Sequence, residues 1–113
     1  MTKKELQIER EKGYKTWFER WYKRADVESQ IKINNSKGYT ELILTFSRKD
    51  DPNIFHRVKG DMFIDCLGEK LPEFKITRKY YEEKSKLFTN LIYDHGIKIT
   101  ISWGYIRIES AEE

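Results

Sequence analysis

Apolar residues recur at three- and four-residue spacing in the first quarter of the chain, which is the period of a helix with one buried face. Thr2 and Glu5 have the spacing of a capping box, so we expect a helix to begin there and to run to about Ala25. Its apolar face comprises Leu6, Tyr14, Trp17, Phe18, Trp21 and Ala25. The first dozen residues are mostly charged, and we expect them to form a looser helical lead-in to a packed helix over about 14–24.

Strict alternation of apolar and polar residues, typical of half-buried strands, follows this helix. Ile31 and Ile33 precede the turn-rich sequence "NNSKG", and Leu42, Leu44 and Phe46 come after it. The pattern predicts a β-hairpin.

A second alternating region lies near the C-terminus, where isoleucines fall on odd positions up to Ile101 and on even positions from Ile106. A hairpin that reverses at residues 103–104, through a two- or three-residue loop, explains this change of phase. It would pair Ile101 with Ile106 and Ile99 with Ile108.

Between the two regions the pattern favours another helix, beginning near Thr77 and ending at Gly96, which suits the left-handed position after a helix. Its stripe comprises Tyr80, Tyr81, Lys84, Leu87, Phe88, Leu91 and Ile92. The remaining segment is harder to assign. Residues 50–53 read as a turn around Pro52 and 54–59 as a third strand. Residues 61–67 are either a short helix capped by Asp61 or a strand.

These elements predict a single α+β domain over residues 1–113, with a frayed tail at 111–113. We expect an antiparallel sheet of four to five strands packed on one face by two helices, in the order α-β-β-(β/α)-α-β-β. Residues 14–46 and 77–109 share the order helix, strand, turn, strand, which suggests an internal αββ pseudo-repeat.

Composition narrows the functional classes. The net charge is only +3, from 22 basic and 19 acidic residues, whereas a dedicated duplex-DNA binder usually has a lopsided balance. One cysteine, Cys66, rules out an internal disulfide framework and suits a reducing compartment. The sequence holds no apolar run of membrane-spanning length, so we expect a cytoplasmic protein with no membrane partner.

Catalytic patterns are weak. Cys66, His56 and His95 lack the spacing of metal ligands, and we expect neither a metal nor a cofactor. Asp65 followed by Glu73 and Lys75 has the bare form of a Mg²⁺ nuclease site, but a chain with 36% charged residues produces such patterns freely.

The strongest functional pattern is the basic–aromatic stretch "YKTWFERWYKR", because such mixtures can stack on unpaired bases and neutralise phosphates. The hairpin tip at Trp103 is a second candidate, and its tryptophan, like Trp17 and Trp21, is either core or interface. The predicted binding residues are Lys15, Arg20, Tyr22, Lys23, Arg24, Trp103, Tyr105 and Arg107.

We therefore expect a non-enzymatic binding or inhibitor protein that occupies a surface of a host or rival macromolecule, as an anti-CRISPR-type inhibitor does. Its lysine- and isoleucine-rich composition is typical of AT-rich phage and mobile-element genomes, which would place it in the host cytoplasm. The expected partner is a protein or ribonucleoprotein, and a homodimer is left open. The alternative is a small nucleic-acid-binding protein that uses the helix over 14–24, and the third hypothesis is a Mg²⁺-dependent nuclease.

Overall fold

Helices and a three-stranded antiparallel sheet form the part of the chain that the computed structural model describes, residues 1–84 and 92–104, without the side chains of 92 and 93. The elements in these ranges are α1 (Lys3–Ala25), α2 (Val27–Ser36), β1 (Glu41–Ser47), α3 (Pro52–Val58), α4 (Asp61–Lys70), β2 (Lys75–Lys84) and β3 (Ile92–Ser102). The α+β class is confirmed. None of these helices has the length and apolar character needed to cross a membrane.

Helix α1 begins at the predicted capping box. The Thr2 hydroxyl accepts a hydrogen bond from the Glu5 backbone N–H at 3.1 Å, and the Glu5 carboxylate accepts one from the Thr2 N–H at 2.7 Å. The charged first ten residues are exposed on all sides although those from Lys3 onward are helical. The helix ends at Ala25, and the φ of 53° at the C-cap residue Asp26 lies in the left-handed region that aspartate tolerates better than most residues.

The first strand of the predicted hairpin is wrong, because Val27–Ser36 is helix α2. Val27 and Ile31, four residues apart, are buried on one helical face, whereas Ile33 is 52% exposed. The alternation of Ile31 with Ile33 spans too few residues to separate the two periods, and packing selects the helix.

Strand β1 was predicted correctly, but its partner is β3 rather than an adjacent hairpin strand. β3 lies in the centre of the sheet between β1 and β2. Ile101 is paired with Leu42 of β1 on one side and with Ile76 of β2 on the other, and both pairings are antiparallel.

The helix predicted from Thr77 to Gly96 is wrong at both ends, because Thr77 lies in β2 and Gly96 in β3. Its middle part, 85–91, lies outside the described residues. Two residues on the inward face of β2, Arg78 and Tyr80, carry polar groups, so the alternation of a strand is hidden in the sequence. Both side chains reach backbone carbonyls at the junction of α3 and α4, including that of Lys59.

The segment between β1 and β2 is helical. Pro52 is the first residue of α3, where its missing N–H costs nothing, and the Asp51 carboxylate caps the helix through the Ile54 N–H. The strand predicted over 54–59 is therefore wrong. The helical alternative for 61–67 is confirmed as α4, with Gly60 rather than Asp61 at the N-cap position.

The predicted pairing of Ile99 and Ile101 with later isoleucines is wrong. In the sheet, Ile99 faces Leu44 and Arg78, and both edges of β3 are occupied along this stretch. The predicted return strand beyond 104 lies outside the described residues. Four to five strands and the αββ pseudo-repeat are not confirmed, since β2 lies where the repeat requires a helix.

The core lies between one face of the sheet and the helices. Ile97, Ile99 and Ile101 are fully buried on that face. Trp21 of α1 and Phe63 of α4 contact Phe46 of β1, with ring centroids 5.9 and 5.7 Å apart. Since side chains alternate along a strand, the other face of the sheet carries the residues in between.

Candidate functional site

The aromatic residues of the predicted binding helix belong to the core. Phe18 and Trp21 are 1% and 5% exposed, and both contact the Phe63 ring. Trp17 is half-buried, stacks on Trp21 and is covered by the Arg57 guanidinium 5.0 Å from its ring centre. These rings do not offer faces to a ligand, so the core interpretation holds for both tryptophans of α1.

Tyr22, which the sequence predicts as a binding residue, is likewise buried. Its hydroxyl donates to the Glu28 carboxylate at 3.0 Å, and the Lys70 ammonium lies 5.6 Å from its ring centre. Burial raises the pKa of the Tyr22 phenol, and the bond to Glu28 raises it further. Tyr22 therefore connects α1 to α2 through its hydrogen bond to Glu28.

The basic residues predicted on α1 are exposed: Lys15, Arg20, Lys23 and Arg24. Arg20 and Lys23 border a shallow cleft of about 490 Å³, but Glu19, Asp26 and Glu28 border it too. Glu19 also forms an ion pair with Lys70 at 2.7 Å. Because the cleft has both signs of charge, it does not form a concentrated basic surface.

Trp103 is a half-buried anchor and not an exposed tip. Its ring packs edge-on against Phe74, and its indole N–H donates to the Asn35 side chain at 3.1 Å. The other two residues predicted at this tip, Tyr105 and Arg107, lie outside the described residues.

A different surface has the character expected of an interface, namely the sheet face that the described helices leave uncovered. Two adjacent cross-strand rows form its centre. One row is Ile43, Thr100 and Thr77, and the next is Thr45, Lys98 and Lys79. Five of these six side chains are exposed and Thr100 is half-exposed. Neither row contains an acidic residue.

Lys79 and Lys98 lie directly opposite each other on neighbouring strands. Like charges in this arrangement repel and destabilise a sheet. The Lys98 ammonium lies 5.5 Å from the centre of the Tyr81 ring, a cation–π contact that offsets part of the repulsion. Lys75 adds a third cation on the same face, two residues beyond Thr77.

Tyr81 lies in the row next to Lys79 and Lys98, at one end of the basic part of this face. Its ring lies across Gly96, the residue opposite it on β3, and a Cβ at position 96 would overlap the ring carbons of Tyr81. Burial raises the pKa of the Tyr81 phenol, as do the nearby carboxylates of Asp94, Glu83 and Asp50. Its hydroxyl is therefore a neutral donor at physiological pH.

Beyond Tyr81, Glu83 and Asp94 are paired across β2 and β3. At the other end of the face, the exposed Glu41 lies beside Ser102 in the row of Lys75. Asp94 is 4% exposed and accepts hydrogen bonds from the Ser47 hydroxyl and from the Lys49 N–H at 2.9 Å. The bond from Ser47 is the main cause that lowers the pKa of Asp94. The face thus has a basic centre, an acidic end at Glu83 and Asp94, and one further acid, Glu41, at the opposite end.

The residues weighed for catalysis have ordinary structural positions. Cys66 is buried in the core, and burial raises the pKa of its thiol. Asp65 and Glu73 are exposed, on α4 and in the following turn. Within the described ranges, no group of three or more histidine, cysteine or acidic side chains is arranged to hold a metal ion.

Sequence reasoning missed the sheet face because it placed Lys79 and Tyr81 in a helix. Because Arg78 and Tyr80 occupy inward positions of β2, no alternation of apolar and polar residues in the sequence could have shown it. Comparisons of the chain with protein-family models, curated proteins and solved structures find no match.

Proposed function

We propose that this protein is a non-enzymatic binding module that holds a single-stranded nucleic acid on the uncovered face of its sheet. The observation that supports the proposal is the pair Lys79 and Lys98, set opposite each other on an exposed face whose two central rows contain no acid. Phosphate groups are the ligand that such a pair of cations suits best.

The charge arrangement favours a polyanion for an energetic reason. In the free protein the two ammonium groups repel each other, and a phosphate lying between them replaces repulsion by two attractions. Lys75 extends the positive surface along β2, so that successive phosphates of one chain can be neutralised. Release of condensed counterions then supplies the binding free energy.

The shape of the face favours a single strand over a duplex. Three strands make a surface roughly 10 Å wide, which is a platform rather than an element that enters a groove. Unpaired bases can lie on exposed apolar side chains, here Ile43, which is 49% exposed, and the accessible part of the Tyr81 ring.

The inhibitor of a protein or ribonucleoprotein partner, expected from composition, stays a prediction. Two of its proposed anchors, Trp17 and Trp21, pack into the core, and Trp103 is held by Phe74 and Asn35. The nucleic-acid alternative is favoured here, but on the sheet face and not on α1.

The test is fluorescence anisotropy with a labelled single-stranded oligonucleotide over a series of salt concentrations. The double variant Lys79→Gln/Lys98→Gln should bind roughly 20-fold more weakly at 0.1 M salt, and its log–log salt slope should fall by about 1.4. The matched control is Lys15→Gln/Lys23→Gln, which removes the same charge from α1 and should bind like the natural protein.

Equal losses in both variants would show that binding follows net charge only and would overturn the assignment to the sheet. No binding by the natural protein, combined with nuclease-resistant capture of a protein partner, would overturn the proposal in favour of the inhibitor. Cleavage of the oligonucleotide in Mg²⁺ that Asp65→Asn or Glu73→Gln abolishes would show an enzyme instead.

A further inference from the structure

Three threonine hydroxyls lie among the lysines of the uncovered sheet face. Thr77 and Thr100 are opposite each other on β2 and β3, and Thr45 lies beside Lys98 on β1. None of the three hydroxyls has a hydrogen-bond partner in the described part of the chain. Other hydroxyls do have partners, as Thr16 does in the Lys12 carbonyl at 3.0 Å.

On β2 and β3, Thr77 and Thr100 form a cross-strand row next to the row of Lys79 and Lys98. Along β2 and β3, Thr77 and Thr100 are each two residues from a lysine, a distance of about 6.7 Å. Strand propensity explains threonine at these positions, because β-branched residues favour strands. Strand propensity does not explain why the threonine hydroxyls, which can donate and accept hydrogen bonds, lie in the row next to the paired lysines.

An RNA chain carries the complementary alternation, since each phosphate is followed by a ribose with a 2′-hydroxyl that both donates and accepts. A phosphate held between Lys79 and Lys98 places the adjoining ribose over the row of Thr77 and Thr100. DNA supplies the phosphates but leaves these hydroxyls facing an unsubstituted sugar carbon.

We infer that the ligand of this face is single-stranded RNA, selected over DNA by its 2′-hydroxyl groups. The inference depends on the proposed function, because the lysines must first hold the backbone. Two hydrogen bonds of ordinary net strength on an exposed surface correspond to about a tenfold preference.

The experiment compares three oligonucleotides of one sequence, with ribose, deoxyribose and 2′-O-methylribose, in the same anisotropy assay. The natural protein should bind the RNA about tenfold more tightly than the DNA. The 2′-O-methyl chain keeps an acceptor oxygen but loses the donor, so it should bind with an affinity between the two. Thr77→Val/Thr100→Val, which conserves side-chain shape, should bind all three equally. The control Thr16→Val changes a hydroxyl on α1 and should keep the preference.

The outcomes separate the two proposals. Equal binding of RNA and DNA that Lys79→Gln/Lys98→Gln weakens would refute the preference and leave the interface intact. Absence of binding to every oligonucleotide would refute the proposed function. Urea unfolding tests whether the valine variant is folded. If it is not, the order of the three oligonucleotides on the natural protein still decides the question.

Discussion

Asp94 is a buried carboxylate at the acidic end of the sheet face, and its hydrogen bonds connect β3 to the end of β1. Ser47 and the backbone N–H of Lys49 both donate to it. These bonds stabilise the charged form, so they lower the pKa of Asp94 in the folded protein. A lowered pKa in the native state makes folding stability depend on pH in the acid range.

The sign of that dependence gives the first prediction. Stability from Asp94 is fully present above the unfolded-state pKa of about 3.9, and it is lost as the pH falls through the lower native value. Asp94→Asn should therefore be less stable than the natural protein at pH 7, and the difference should shrink below about pH 4. Urea midpoints measured from pH 7 to pH 2.5 test this. The control Asp65→Asn, an exposed acid on α4, should stay close to the natural protein throughout.

Gly96 is a position where a glycine is required, but the sequence suggested the wrong reason for it and therefore the wrong secondary structure. A glycine after an amphipathic stretch predicts the end of a helix, where positive φ is required. In the sheet, glycine is required at position 96 because the Tyr81 ring of the neighbouring strand occupies the space where a side chain would lie. Only the cross-strand register reveals this cause, and no local pattern in the sequence contains it.

Elements with strong local signals could be predicted, and those decided by distant partners could not. The capping box of Thr2 and Glu5 and the alternation in β1 are contained in short segments, and both are confirmed. Strand β2 was missed because Arg78 and Tyr80 occupy inward positions that the pattern assigns to apolar residues. Their carbonyl partners at Lys59 and Gly60 lie 18 to 21 residues earlier in the chain.

Arg78 connects β2 to the junction of α3 and α4 and gives the second prediction. Its side chain is 21% exposed, and its guanidinium donates to the carbonyls of Lys59 and Gly60 at 3.1 and 3.0 Å and to the Asp61 carboxylate at 2.8 Å. Arg78→Met should lower the free energy of unfolding by about 1–3 kcal/mol, the usual loss for a charged donor with several acceptors.

Urea denaturation measures that loss, and Arg24→Met, on the exposed side of α1, should change stability by less than about 0.5 kcal/mol. Arg78→Lys should lie between the two, because one ammonium cannot reach all three acceptors. A loss in Arg78→Met no larger than in Arg24→Met would show that the connection does not contribute to stability.

At the scale of the whole molecule, the candidate interface exists only because β3 lies between two strands from distant parts of the chain. The basic–aromatic run on α1 is contiguous in the sequence and so attracted the functional prediction, yet its rings fill the core. The sequence positions of Thr45, Lys79 and Lys98 are far apart, and only the pairing of the three strands brings these residues into one row. Composition predicted a binding protein, but the location of the surface depends on topology.

The last prediction is that the opposed lysines Lys79 and Lys98 have opposite effects on stability and on binding: they destabilise the fold and strengthen binding of an anionic ligand. Lys79→Glu converts a repulsive cross-strand pair into an attractive one, so the variant should be more stable by about 0.5–1 kcal/mol, and this gain should diminish in high salt. The same change should weaken oligonucleotide binding more than Lys79→Gln does. Lys75→Glu, which lies opposite Ser102, is the control: it should weaken binding without stabilising the fold. A Lys79→Glu variant that is less stable would show that the Lys79–Lys98 pair does not destabilise the fold. A variant that binds the oligonucleotide as tightly as the natural protein would show that this pair does not bind the anionic ligand.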